Sequence, residues 1–468
     1  MHMATLISLN DIHSEMNETS VKNIVRPTSV REIQDIVVRS QTEHVSISIM
    51  GGRHAMGGQQ FGDDTTVIDM TGMNRIIDFN KNKGLLTVEA GIMWPEVAVY
   101  LKESQVDDRD GWSIAQKQTG ADRLTIGGAL SANVHGRGLT FAPFISDVET
   151  FWMVNAEGKH IECNRQTNSE LFSLVIGGYG LFGVITQVTL RLIPRKKLIR
   201  VVEVIHVDSL ADKFKERIHD GFLYGDFQFS TDISSDAFLT KGVFSCYKPI
   251  PFSTPEEGEH KTLSAEDWIK LFCLGHTDQK KVYELYTQYY LSTSGQIYDS
   301  DEHQKSYYPE GYHAMVDTVM KAPVKATEMI TEIYVPRAEI ASFMHEVAAY
   351  FRTTTVPVFY GTVRLIEKDT ESFLAWAKES YVCIIFNLHV VHTAEDIEKA
   401  KVAFQTLIDL GLKRGGGYYL TYHTWARPEQ VRAVYPQFEQ FLKLKQQYDP
   451  KEVFQSNWYR LYKKMFSL

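Results

Sequence analysis

Met50-Gly51-Gly52-Arg53-His54-Ala55-Met56-Gly57-Gly58 decides how this chain is read. Just before it, Val45-Ser46-Ile47-Ser48-Ile49 alternates with period two, the pattern of a strand with one buried face. Residues 51–58 hold four glycines, one arginine and one histidine in eight positions. Glycine tolerates positive φ, so such a loop can aim consecutive backbone N–H groups at one point and hold a diphosphate without a helix. No Lys-Ser/Thr ending follows, which excludes a P-loop.

Working outward, Ser29 and Glu32 have capping-box spacing, and Val30, Ile33, Ile36 and Val37 make a helical stripe ahead of that strand. Strands are expected at 66–70 and 85–90, and a helix from Pro95 to residue 101. A second glycine-rich region covers 119–138, and a third covers Gly177 to Gly183. The third contains Gly178-x-Gly180-x-x-Gly183, the spacing of a dinucleotide fingerprint. That fingerprint should open a helix with an acid about 20 residues on. Here an alternating strand over 184–193 follows, ending at the basic stop Pro194-Arg195-Lys196-Lys197. Three glycine regions in one 200-residue unit exceed what hairpins need and suit a long, bent cofactor with a diphosphate. The class expected is α+β.

Beyond residue 200 glycine thins out. Strand patterns at 198–207, 332–335, 358–366 and 381–389 alternate with helical ones at 265–274, 280–290, 371–378 and 394–411. This reads as one antiparallel sheet with helices against it. Residues 299–311 read as a polar surface loop. The expected organisation is a unit over 1–200 for a cofactor with a diphosphate, an inserted antiparallel-sheet substrate unit over 201–425, and a returning segment over 426–468.

The 468 residues are 44% hydrophobic and 23% charged, which fits a folded globular chain. A net charge of −9 argues against general nucleic-acid binding. Four cysteines, Cys163, Cys246, Cys273 and Cys383, have no C-x-x-C spacing, so no zinc ribbon or redox dithiol is expected. No signal-like or membrane-length apolar run is seen, and the expected location is cytoplasmic.

Three segments together resemble the FAD-binding domain of the vanillyl-alcohol oxidase family, the p-cresol methylhydroxylase type. They are Met50 to His54, then Thr125-Ile126-Gly127-Gly128-Ala129 with His135-Gly136, then Gly180-Leu181-Phe182-Gly183-Val184-Ile185-Thr186. The likeness covers roughly residues 20–195, and Tyr448 to Ser456 is similar to that family's C-terminal segment. The branch it most resembles holds alditol oxidases, aldonolactone oxidoreductases and decaprenyl-phosphoryl-ribose oxidase. The resemblance implies that Gly51, Gly52, Arg53, His54, Ala55 and Met56 wrap an FAD pyrophosphate. It further implies FAD contacts at Thr119, Gly120, Thr125, Gly128 and Ser131, at Asn133, His135 and Gly136, and at Gly183 and Ile185. His54 falls where many members carry a histidine bonded to the flavin, so FAD is held there either covalently or by contact alone. No cysteine lies in 119–138 for a second link.

On the substrate side, Tyr360 to Ile366 is similar to the strand on which alditol oxidases place an active-site arginine, implying that role for Arg364. Those enzymes have a glutamate two residues earlier, where this chain has Thr362. The alternative for Arg364 is an ion pair with Glu367 or Asp369. In Tyr418 to Trp425, strand alternation allows only one of Tyr422 and His423 to face the flavin. His423 is the candidate general base, since free histidine titrates near pH 6.5. Asn387 and His389 share a strand face and are candidates for the pocket; two such residues do not make a metal site, and none is expected. Asp226-Phe227-Gln228-Phe229 is a further candidate wall.

The expected activity is therefore FAD-dependent oxidation of a CH–OH group in a polyol, sugar or related alcohol, with O2 or another acceptor reoxidising the flavin. An amine dehydrogenase or C=C reductase is the alternative within flavoenzymes. A non-catalytic nucleotide-binding protein is the alternative outside them.

Overall fold

The computed structural model describes residues 6–106, 111–256, 258–299 and 301–467. The strand Ile47–Met50 that launches the glycine loop lies in a parallel three-stranded sheet, beside Thr66–Asp69, which pairs in turn with Asn23–Val25. The helix Val30–Glu43 crosses between Asn23–Val25 and Ile47–Met50. Ser29 caps it by accepting from Glu32 N, and Ile33 and Val37 are fully buried. The returning segment adds another edge: Ile47 N donates to Val453 O at 2.7 Å and Gln455 N to Ile47 O at 2.8 Å. A buried Lys445–Asp449 ion pair shapes that segment, with the Asp449 carboxylate also accepting from Val453 N and Phe454 N, each at 2.9 Å.

A second, antiparallel sheet is ordered His160–Asn164, Val148–Asn155, Gly183–Pro194, Leu85–Glu89, Ile76–Asn80, with Trp112–Ile114 also on Gly183–Pro194. Leu86, Val88, Phe151, Val184 and Val188 from this sheet are fully buried, as period-two burial requires.

The third sheet has eight strands, all antiparallel. Its order is Ile297–Asp299, Lys197–His206, Lys241–Ile250, Tyr224–Phe229, Val358–Ile366, Tyr381–Val391, Ala326–Pro336, Gly417–Tyr418. Alternation gives it two unlike faces. Phe227, Phe244, Val363, Leu365 and Phe386 are buried on the side of the helices Val207–His219, Ile340–Phe351 and Ala394–Leu412. Asp226, Gln228, Thr362, Arg364, Ile385, Asn387, Glu328 and Ile330 face the other way, into a cavity. The helices Ala265–Thr277, Gln279–Ser292 and Tyr312–Met320 close the outer end of that face. No helix among the described residues is long and apolar enough to cross a membrane.

Three expectations need correction. Residues 371–378 form turns, not a helix: Asp369 Oδ1 accepts from Glu371 N and Ser372 N, and Trp376 Nε1 donates to Asn133 O at 3.0 Å. Those side-chain bonds give the backbone an alternative to the helical ladder. Residues 301–304 are not a surface loop, although Lys305 and Tyr307 are exposed. His303 and Gln304 are buried; Gln304 Oε1 accepts from Lys117 N at 3.1 Å and Asp301 Oδ1 from Ile114 N at 3.2 Å. Polar side chains there complete the hydrogen bonds of the 113–120 backbone. Finally, only Gly417–Tyr418 is a strand; 419–425 turns back under the cavity.

Candidate functional site

A cavity of about 480 Å³ runs between the glycine loops and the eight-stranded sheet. At one end it is made of backbone. The N–H groups of Gly52 to Met56 donate to no other described residue, while Gly57 N is satisfied by Gln59 Oε1 at 3.0 Å. Five consecutive donors with no protein acceptor beside a cavity make a backbone nest for an anion. Arg53 holds the turn with φ 60, in the left-handed region. A Cβ on Gly52 would meet Arg123 O at 2.4 Å, so the loop presses directly on the 123–125 segment. By contrast, the first N–H groups of helix Ile126–Ala132 are already used: Ile126 N by Ile92 O, Gly127 N by Ala90 O and Gly128 N by Thr125 Oγ1. The anion-holding part is therefore the 52–56 loop.

Further buried polar atoms without a partner line the cavity. Gln60 Oε1 and Thr119 Oγ1 lie at the loop end. Arg137 Nε, Gln228 Oε1, Thr362 Oγ1, Arg364 Nε and Asn387 Oδ1 lie at the sheet end. Buried polar groups are normally bonded, so both ends are built for a polar occupant, with a diphosphate fitting the loop. The outer wall is aromatic: Trp268, Phe272, Tyr283, Tyr286 and Phe359.

His54 lines the cavity half-buried. Its Nδ1 lies 2.8 Å from His13 Nε2 and its Nε2 3.1 Å from Arg123 O. Burial, reinforced by the neighbouring His13, lowers its pKa to about 3. It is thus a neutral imidazole, the nucleophilic form.

Most of the residues expected at the cofactor do line the cavity: Gly51 to Met56, Thr119, Gly120, Thr125, Gly128, Ser131, His135, Gly183 and Ile185. Asn133 and Gly136 do not. Asn133 is fully buried behind the wall, donating to Asp369 Oδ2 at 3.0 Å and accepting from Ile145 N at 2.9 Å. Gly136 donates to Gln116 Oε1 at 3.1 Å and sits against Lys117 O.

On the sheet side, Arg364 and Asn387 face the cavity. Arg364 pairs with neither suggested partner: Glu367 is held by Arg337 at 2.8 Å and Asp369 by Asn133 and Ser372. Tyr422 is in the wall, and burial raises its pKa well above the usual phenol range, so it stays a hydroxyl donor. His423 is corrected: it points into the core, fully buried, stacked on Phe404 and bonded to Thr331 Oγ1 at 3.0 Å. Burial alone lowers its pKa to about 3, and it cannot reach the cavity.

Sequence reasoning missed Glu332 and Arg137. His135 Nε2 lies 2.6 Å from Glu332 Oε1, while Glu332 Oε2 has no partner. Two acids, Glu328 and Glu332, on one face of the strand Ala326–Pro336 were the available signal. Arg137, beside His135, lies 3.8 Å from Asp226.

Comparison with known proteins agrees with this geometry. The chain matches an FAD-binding domain family over residues 21–164 and the D-arabinono-1,4-lactone oxidase family over 294–462. It is 27% identical to L-gulonolactone oxidase of Mus musculus over 37% of this chain and 38% of that enzyme. To cytokinin dehydrogenase 1 of Arabidopsis thaliana it is 28% identical, over 44% of this chain and 37% of that enzyme. To L-gulono-1,4-lactone dehydrogenase of Mycobacterium tuberculosis it is 25% identical, over 93% and 95%. Like the mouse enzyme, the first relatives are thus matched over well under two thirds of their length. The FAD-binding domain match and the unpaired 52–56 donors together identify the occupant of the loop end as FAD.

Proposed function

We propose, on the premise that this chain belongs to the p-cresol methylhydroxylase-type FAD-binding oxidoreductases, that it oxidises a CH–OH group of a sugar lactone, polyol or related alcohol. The observation that carries this reading is one continuous cavity, with five free N–H donors at one end and the unpaired Arg364 Nε at the other. Loss of hydride and proton from such a carbinol needs a two-electron acceptor, which is the chemistry FAD supplies when bound.

The chain's own residues supply the rest. Gly52 to Met56 hold the diphosphate. The eight-stranded sheet of the 201–425 unit carries the substrate side. Arg364 stabilises negative charge developing at the substrate oxygen, in a cavity where water is largely displaced. Tyr422 donates its hydroxyl proton as a hydrogen bond and Asn387 orients a second oxygen. His135 lines the cavity with both ring nitrogens engaged, one by Glu332 Oε1 and one by Gly136 O, so the pair holds a fixed polar group beside the substrate rather than taking its proton. His54, a neutral imidazole whose tautomer His13 sets, would be the residue to carry a covalent link to FAD. The unit is read as cytoplasmic.

A second reading is favoured by the outer aromatic wall, whose rings offer stacking surfaces: oxidation of a flat amine rather than an alcohol; one relative is named a cytokinin dehydrogenase. Anaerobic mixing of the purified yellow protein with aldonolactones, alditols, aryl alcohols and isoprenoid amines separates the two. Bleaching of the flavin by the lactone or alditol group supports the first reading. Bleaching by amines alone replaces it with the second, and a protein that carries no flavin and takes up none ends both. Acid precipitation then assigns the link: colour in the pellet is expected from wild type and not from His54→Ala.

A further inference from the structure

At the edge of the cavity, where Glu328 lines its wall, three chain segments bring nitrogen and oxygen ligands to one point. His276 comes from the helix Ala265–Thr277, Glu328 from the strand Ala326–Pro336 and His389 from the strand Tyr381–Val391. His276 Nε2 lies 3.2 Å from Glu328 Oε1, and His389 Nδ1 lies 3.1 Å from the same oxygen. All three ligand atoms fall within 4.8 Å of one another. The side chains are 3%, 4% and 14% exposed, for His276, Glu328 and His389 respectively.

A hydrogen-bonded cluster accounts for only part of this. His389 is bonded to Glu328 Oε1, but His276 Nε2, although 3.2 Å away, is a buried atom with no hydrogen-bond partner. Its ring is fixed by stacking on Phe359, 4.2 Å between centroids and 9° between planes. Two imidazole nitrogens thus crowd one carboxylate oxygen, at 3.2 and 3.1 Å, and His276 is poorly aligned to donate to it. Around a tetrahedral ion with bonds of about 2.0–2.1 Å, neighbouring ligand atoms are about 3.3 Å apart, close to the 3.2 and 3.1 Å from Glu328 Oε1 to the two imidazoles. The other carboxylate oxygen is also anchored: Glu328 Oε2 accepts from Tyr312 OH and lies 2.6 Å from His313 Nδ1. Such outer partners fix a ligating carboxylate and tune its ion.

Two other groups of potential ligands fit less well. His206, Asp208 and His345 are largely exposed, and His135 is already bonded to Glu332 at 2.6 Å.

We propose that His276, Glu328 and His389 bind a divalent transition-metal ion, of the zinc or cobalt class rather than magnesium or calcium. Two imidazoles and one carboxylate suit borderline ions; the hard cations need more oxygens. The ion ties the helix Ala265–Thr277 to the sheet. That helix carries Trp268, Leu271 and Phe272 into the cavity wall, so the site fixes the outer substrate wall.

The test uses the purified flavoprotein, stripped with a strong chelator and titrated with Co2+, read by difference spectra in the red where flavin is transparent. One equivalent with visible d–d bands, displaced by Zn2+, is expected. His276→Ala and His389→Ala should each abolish the bands. His313→Ala, which touches only Oε2, should weaken binding about 10- to 100-fold. Flavin content should not change in any of them. If the wild-type protein takes up neither Co2+ nor Zn2+ at micromolar concentration, the proposal falls whatever the variants do. It falls equally if the folded, yellow His276→Ala and His389→Ala proteins bind Co2+ as wild type does.

Discussion

The two walls of the cavity are made of different material. The 52–56 loop offers backbone N–H groups, and its geometry is fixed by a glycine pressed against Arg123 O at 2.4 Å from where a Cβ would sit. The eight-stranded sheet offers side chains, Arg364, Asn387 and Asp226, at alternate positions of three strands. The difference teaches what each wall tolerates. A backbone wall is indifferent to side chains that point away and intolerant of any atom added between its own segments. A side-chain wall keeps its shape when one residue is exchanged and loses one chemical function.

Exchange within the side-chain wall should give the largest kinetic effect. Arg364→Met is expected to lower kcat/KM by about 10²–10³-fold, with flavin absorbance unchanged. Loss of flavin from this variant would show that the two walls are not separable.

In the backbone wall, Gly52→Val should do the reverse. Overpacking costs of about 3 kcal/mol correspond to roughly 100-fold weaker FAD binding, measured by titrating the stripped protein. A yellow Gly52→Val protein with normal affinity would contradict the role given to the loop.

Tyr422→Phe sharpens the comparison within one turn of chain. Removing one hydrogen bond worth about 1–1.5 kcal/mol should lower kcat/KM about tenfold. An unaltered rate would remove Tyr422 from the site.

Its neighbour should barely matter to catalysis. His423→Gln is expected to stay within about twofold of wild-type kcat/KM, an effect too small to register as transition-state binding, but to alter stability against pH. His423 is held neutral in the fold, with its pKa lowered from 6.5 to about 3, whereas the unfolded chain protonates it near 6.5. Its contribution is therefore complete above pH 6.5 and is lost as pH falls toward 3, with a slope of up to about 1.4 kcal/mol per pH unit. The variant should lack that slope in denaturant titrations between pH 4 and 6. A tenfold loss of activity would return His423 to the list of catalytic groups.

The same contrast explains what could be read from the residues alone. The backbone wall was legible because it needs glycines at fixed positions, and Gly51-Gly52-Arg53-His54 carries that need in one short stretch. Strands such as Val358–Ile366 were legible because burial on one face enforces period two. Glu332 was not, since its partner His135 is 197 residues away. Nor was the burial of Gln304, because its polar side chain is satisfied by the backbone of Lys117, 187 residues distant. Tyr422 and His423 could be set on opposite sides by alternation, but which one faced the cavity depended on Thr331 and Phe404 receiving His423 in the core.

The edge contact at Ile47 has a consequence for how the protein is made. The strand that launches the FAD loop is completed on one side by residues 453–455, more than 400 positions later. Chains emerge from the ribosome N-terminus first, so a nascent chain that has exposed residues 45–58 still lacks the strand's final neighbour. The loop's supporting strand is thus finished only in a chain translated past residue 455, and a product truncated before residue 453 is expected to be colourless.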